Sequence, residues 1–109
     1  MSTRLPGVKY KRVFDRGRPI KGRLLVAWRY TASDADRMAG VVVSKKTFHD
    51  AVDRNRAKRL MREAYRLLVK EGVAPEQTEW VFIARSAMGG RMCDDVKREM
   101  MWACVAAIT

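Results

Sequence analysis

The side chains best placed to do chemistry in this chain are cationic, and they crowd into residues 51–66, AVDRNRAKRLMREAYR. Arg54, Arg56, Lys58, Arg59, Arg62 and Arg66 stand there against two acids, Asp53 and Glu63. Arginine donates in a planar fork that engages phosphate oxygens two at a time, so this cluster is chemistry for holding a polyanion rather than for breaking a bond. Asn55 interrupts the run with a neutral amide that both donates and accepts. It suits a sugar hydroxyl, a base edge or a hydrated metal.

The spacing predicts how these groups are displayed. At about 100° per residue, Ala57, Leu60, Met61, Ala64, Tyr65, Leu67 and Leu68 fall on one continuous face of a helix. Asn55, Arg59, Arg62 and Arg66 lie opposite at steps of four, three and four, with Lys58 at their edge. Successive guanidinium groups then stand about 5–6 Å apart, close to the phosphate repeat of a nucleic-acid strand. Most charged helix faces are simply solvated. Here, acidic partners four residues away are nearly absent, so the arginines repel one another until an external polyanion neutralises them.

The surplus is a property of the whole chain, which carries a formal charge of +11 over 109 residues and a pI near 10.4. That length predicts a single domain, residues 1–109, with one modest core. The charge implies RNA, DNA or an anionic surface as partner. No apolar run approaches the roughly 18 residues of a membrane span, and the N-terminus lacks a signal-peptide pattern, so a cytoplasmic protein is expected. Cys93 and Cys104 show neither metal-ligand nor redox spacing and read as reduced thiols. His49, the only histidine, adjoins Asp50, but neighbours in sequence rarely form a working dyad. Without clustered carboxylates, a self-sufficient nuclease is not expected.

Around the basic helix the pattern predicts an α/β domain, a four-stranded sheet with three helices. Residues 1–6 are expected to be loosely ordered. Residues 7–16 form a short helix stopped at Gly17, with Tyr10 and Phe14 on one face. Strands are expected at 18–21 and 24–30, the latter with Leu24, Val26 and Trp28 on one side and Leu25, Ala27 and Arg29 on the other. Residues 31–37 form a loop. The apolar run 39–44 reads as a central strand covered on both faces. Phe48 anchors the connection 45–50, Gly72 caps the basic helix, and 79–85 is the last strand. Asp94 or Asp95 caps a final helix reaching about residue 108, with Val96, Met100, Ala103, Cys104 and Ala107 on one face.

The order GVVVSKK, residues 40–46, followed by AVDRNRAKRLMREAYR, resembles the bacterial ribonuclease P protein subunit, marked by an Arg-Asn-Arg motif opening a basic helix after a Val-Ser-Lys-Lys strand end. The match is densest over residues 40–66 and weaker towards both ends. Connection 45–50 departs from the commonest family pattern, being one residue longer and lacking its glycine.

The resemblance implies a βαβ crossover around the basic helix, left-handed in the family, and one RNA-binding domain. It also implies a role: assisting a catalytic RNA in removing the 5′ leader of precursor tRNA. The protein then counts as an enzyme subunit that is not catalytic alone, and Mg²⁺ is required by the holoenzyme but held mainly by RNA. Lys45, Lys46, Arg54, Asn55, Arg56, Lys58, Arg59, Arg62 and Arg66 are implied to meet the ribonuclease P RNA and the tRNA junction, with Asn55 also a candidate metal contact. Tyr10, Arg12, Phe14 and Trp28 are implied to line a cleft for the leader, where aromatic rings stack bases. As core residues, the three aromatics need no such role. Neither a membrane nor an obligate protein partner is implied. A general RNA-binding or ribosomal protein is the competing reading, and it explains the composition without the motif.

Overall fold

Alternating apolar side chains build the sheet, and the helices then have two faces to cover. In the computed structural model, which describes residues 3–106, the strands are β1 (Arg18–Lys21), β2 (Leu25–Thr31), β3 (Met38–Val42) and β4 (Thr78–Ala84). They are ordered β1-β2-β4-β3. The β1/β2 and β2/β4 pairs are antiparallel and β3/β4 is parallel. Helix α2 (Ala51–Lys70) carries the chain from β3 to β4, so the βαβ crossover is present.

One face of the sheet presents Leu25, Ala27, Val41, Trp80 and Phe82 to α2 and to α3 (Cys93–Ala106). Helix α2 contributes Ala57, Met61, Ala64, Tyr65 and Leu68, all buried, while α3 contributes Val96, Met100, Ala103 and Cys104. Trp80 stacks on Phe82 with ring centroids 5.5 Å apart. The opposite face carries a smaller cluster of Val81, Leu5 and Val13, the last from α1 (Tyr10–Arg16). A 3-10 turn at Gly7–Lys9 leads into α1. From Leu25 to Trp28 the alternation expected in β2 holds, with Trp28 on the α1 side and Ala27 in the main core, but Leu24, expected beside Trp28, precedes the strand and packs in the main core instead.

Three expectations need correction. Strand β3 is an edge strand, not a central one; its apolar run records burial of both faces, by α2 and by Tyr10, rather than rank in the sheet. Residues 3–6 are held rather than loose, because they cover that edge. Ala39 N–H donates to the Thr3 carbonyl at 2.8 Å, Leu5 N–H donates to the Ala39 carbonyl at 3.0 Å, and Leu5 is buried. Leu60 and Leu67 are only half-buried, since the true core stripe of α2 runs through Ala57, Met61, Ala64, Tyr65 and Leu68. Residues 1–2 of the segment expected to be loose, and the end of α3 expected at 107–108, lie outside the described residues.

Helix ends follow their local chemistry. Gly72, at φ +74°, takes the left-handed conformation that ends α2, and Val73 N–H reaches back to the Leu68 carbonyl at 2.9 Å. Helix α3 begins at Cys93, so Asp94 and Asp95 lie within its first turn rather than at the N-cap expected of them; Asp95 reaches back from there, its carboxylate accepting the Met92 N–H at 3.1 Å.

Candidate nucleic-acid interface

Five of the residues singled out in the basic helix come together. Asn55, Lys58, Arg59, Arg62 and Arg66 line one groove of about 510 Å³, closed along its other side by Thr3 and Arg4. The second wall arises only because the N-terminal segment pairs with β3, bridging Arg4 to Ala39 in parallel. Asn55, Arg59 and Arg66 are exposed, whereas Lys58 and Arg62 are half-buried. Arg62 is held below the ordinary arginine value, first by burial and then by the neighbouring charge of Arg4. Crowded, partly desolvated cations of this kind gain most when an anion enters.

Arg66 is engaged with Glu63 one turn back, its Nε donating at 3.1 Å to the carboxylate. That hydrogen bond holds the Glu63 carboxyl below the usual carboxylate range and raises Arg66. The groove therefore contains one acid, already neutralised.

The remaining cations of the motif face elsewhere. Arg54 donates to the carbonyls of Phe48 at 2.9 Å and His49 at 2.7 Å, clamping the connection that enters α2. Arg56 donates to the Arg91 carbonyl at 2.8 Å and so ties α2 to the start of α3. Lys45 and Lys46 are exposed on the turn after β3, where Ser44 accepts the Thr47 N–H. Phe48 turns inward against the core, as expected, and approaches Gly89. His49 is exposed on this connection.

On the other face of the sheet, Phe14 and Trp28 meet edge to face with ring centroids 5.4 Å apart, both half-buried. With Val42 and Ile83 they border the part of the sheet that α1 leaves partly open. Tyr10 is more firmly tied. Its hydroxyl accepts the Val41 N–H at 3.1 Å, satisfying an edge donor of β3, and its ring lies so close to Gly40 that an added Cβ would fall 2.3 Å from Cζ.

Arg12 is drawn away from this aromatic pair by Glu79, a residue whose role the sequence did not reveal. Glu79 sits in β4 with no exposed surface, and Arg12 Nη2 donates to both its carboxylate oxygens at 2.8 Å. Lys9 lies 3.7 Å from the same carboxylate, and the Asp36 N–H donates to it at 3.1 Å. The Arg12 guanidinium also reaches Asp34 and covers the Tyr30 ring at 4.9 Å. Its value is raised chiefly by the hydrogen bonds to Glu79. An acid opening the strand EWVFIA was the available signal, since a carboxylate in so apolar a strand needs a cation. Which cation depends on how α1 lies across the sheet. Arg4 and Thr3 offered no comparable clue, for only the strand pairing brings them to the groove.

Among the described residues, no three His, Cys, Asp or Glu side chains are grouped to hold a metal ion, and no helix is long and apolar enough to cross a membrane. Asn55 stands among cations, a poor place for a divalent ion held by protein alone.

Fold and groove thus define a small α/β domain that displays a cationic helix face beside its N-terminal strand segment. The chain belongs to the ribonuclease P protein family: the sequence model described as Ribonuclease P matches residues 7–107. The ribonuclease P protein component of an Exiguobacterium species is 43% identical over 77 residues, covering 71% of this chain and 64% of that one. The corresponding protein of Clostridium acetobutylicum is 35% identical over 92 residues, covering 82% and 74%. Among solved structures, the Staphylococcus aureus RNase P protein superposes with a TM-score of 0.77 at 22% identity, over 98% of this chain and 96% of that one. The Thermotoga maritima protein gives the same TM-score at 23% identity, over 93% and 94%. These two likenesses establish the fold.

Proposed function

We propose that this chain is the RNA-binding protein subunit of ribonuclease P and assists a catalytic RNA in removing the 5′ leader of precursor tRNA. The observation that carries the reading is the groove of Asn55, Lys58, Arg59, Arg62 and Arg66 on a chain of this family. In it, the protein offsets phosphate repulsion between the catalytic RNA and its substrate, and the edge-to-face pair of Phe14 and Trp28 offers the leader a stacking surface. Hydrolysis belongs to the RNA. In support, the protein's more buried carboxylates are committed elsewhere, Glu79 to Arg12 and Glu99 to backbone N–H groups of residues 23–25. Mg²⁺ belongs to the RNA as well, because the cations of the groove repel it; Asn55 then faces a ribose or a base edge.

The test is cleavage of a precursor tRNA by a bacterial ribonuclease P RNA at low Mg²⁺, with and without this protein. Strong stimulation at the authentic 5′ end is expected. Cleavage unchanged by the protein, despite RNA binding, would leave the general RNA-binding reading in its place.

A further inference from the structure

A second concave surface shares no residue with the basic groove. It is a cavity of about 470 Å³ between the β1–β2 hairpin and α3, bordered by Lys21, Arg23, Arg91, Arg98 and Trp102. That volume lies within the range of about 300–1,000 Å³ typical of small-ligand pockets. Its walls are fixed. The Glu99 carboxylate accepts N–H bonds from Arg23 at 2.9 Å, Leu24 at 2.9 Å and Leu25 at 2.8 Å, fastening the hairpin to α3. Gly22 is packed so tightly that an added Cβ would fall 2.6 Å from Glu99. Arg56 of the basic helix secures the Arg91 backbone from the other side.

The charges do not cancel. Six ionisable side chains line the cavity, and its two acids are engaged, Glu99 as above and Asp95 with the Met92 N–H. Among the described residues, none of Lys21, Arg23, Arg91 or Arg98 is ion-paired. Beside them, Trp102 leaves 50% of its surface exposed, one turn of α3 beyond Arg98. Unpaired cations around an exposed indole are what a single-stranded nucleic acid requires: backbone phosphates on the cations and a base stacked on the ring. Trp102 is the only tryptophan so exposed, whereas Trp80 is fully buried.

We infer that this cavity is a second site for single-stranded RNA, taking one unstacked base on Trp102 and the adjoining phosphates on Arg23, Arg98, Lys21 and Arg91. The choice of RNA over other polyanions rests on the proposed function; the site itself rests on the charges and the ring. Contact at this end of the sheet, in addition to the α2 groove, lets one protein engage two separated segments of RNA.

The full chain labelled with 5-fluorotryptophan gives three ¹⁹F resonances, assigned with Trp28→Phe and Trp102→Phe. They are followed while hexa-adenylate is added at fixed, moderate salt. The Trp102 resonance is expected to move saturably, and Arg98→Glu or Arg23→Glu to weaken that response at least about 5-fold, in keeping with loss of a phosphate contact beside a stacked base. The Trp80 resonance reports whether each variant is folded, and Trp28 reports the leader cleft independently. A Trp102 resonance unmoved while Trp28 responds overturns the second site and leaves the proposed function standing. Movement of Trp102 with silence at Trp28 supports the site and counts against the cleft. A Trp102 shift that follows protein concentration without RNA makes this face a self-association surface and overturns the proposal.

Discussion

The arginines of this chain divide by partner. Arg12, Arg54 and Arg56 are bonded to protein and organise the fold, Arg66 is engaged with Glu63 inside the groove, and Arg59, exposed there with no bonded partner among the described residues, is the guanidinium left available to a ligand. Arg12→Ala leaves the Glu79 carboxylate buried without its main cation, at a cost of about 3–5 kcal/mol. Denaturant unfolding measures it; a loss below about 0.5 kcal/mol would return Arg12 to the RNA-contacting group. Phe14→Ala tests the other face. If its ring stacks a leader base, the holoenzyme should lose about 1–3 kcal/mol of affinity for leadered precursor tRNA and none for mature tRNA. Equal losses with both, in a variant shown folded by circular dichroism, make Phe14 a packing residue only. The sequence revealed which residues are cationic and which helix face bears them, because both follow from residue type and a 3.6-residue period. It did not reveal which guanidiniums are already occupied, since the carbonyls of Phe48, His49 and Arg91 that hold Arg54 and Arg56 come from loop paths that local periodicity does not encode.

Helix α2 is the element on which fold and groove depend together. Met61 is fully buried beneath the groove, so Met61→Ala should destabilise by about 2–5 kcal/mol. Half-buried Leu60→Ala should cost less, and a reversed order in thermal unfolding would mean that the core stripe is misassigned. The α2–α3 contact adds a dependence on pH. Burial pushes the Cys104 thiol from the ordinary 9.0 up to about 11, and burial also raises the Tyr65 phenol. Unfolded, both groups ionise at lower pH than when folded. The stability they confer is therefore whole below about pH 9 and is lost as pH climbs through the folded values. Denaturation midpoints should fall across that interval, and Cys104→Ala should flatten its first part. A midpoint that rises with pH there contradicts the sign. Elements with strong periodicity or clear stops, such as α2 with Gly72, were legible from sequence. The edge position of β3 was not, because burial on both faces produces the same apolar run whether the next neighbour is a strand or residues 3–5.

At the scale of the whole molecule, a net charge of +11 guarantees attraction to any polyanion, so affinity alone says little about mechanism. What discriminates is how many phosphates displace counterions and from which surface. Log affinity for single-stranded RNA should fall linearly with log salt, by about 0.7 per phosphate contact. Arg59→Ala, taken from the groove, should reduce that slope by about one contact while changing stability by no more than about 0.5 kcal/mol. Arg54→Ala removes the same formal charge but from a guanidinium already held by two carbonyls. It should leave the slope nearly unchanged and lower stability instead, because the connection into α2 loses its clamp. If the two variants shift the slope equally with no difference in stability, net charge governs binding and the groove has no special part in it. If only Arg59→Ala moves the slope, the arrangement of cations on α2, rather than their number, determines where the RNA lies.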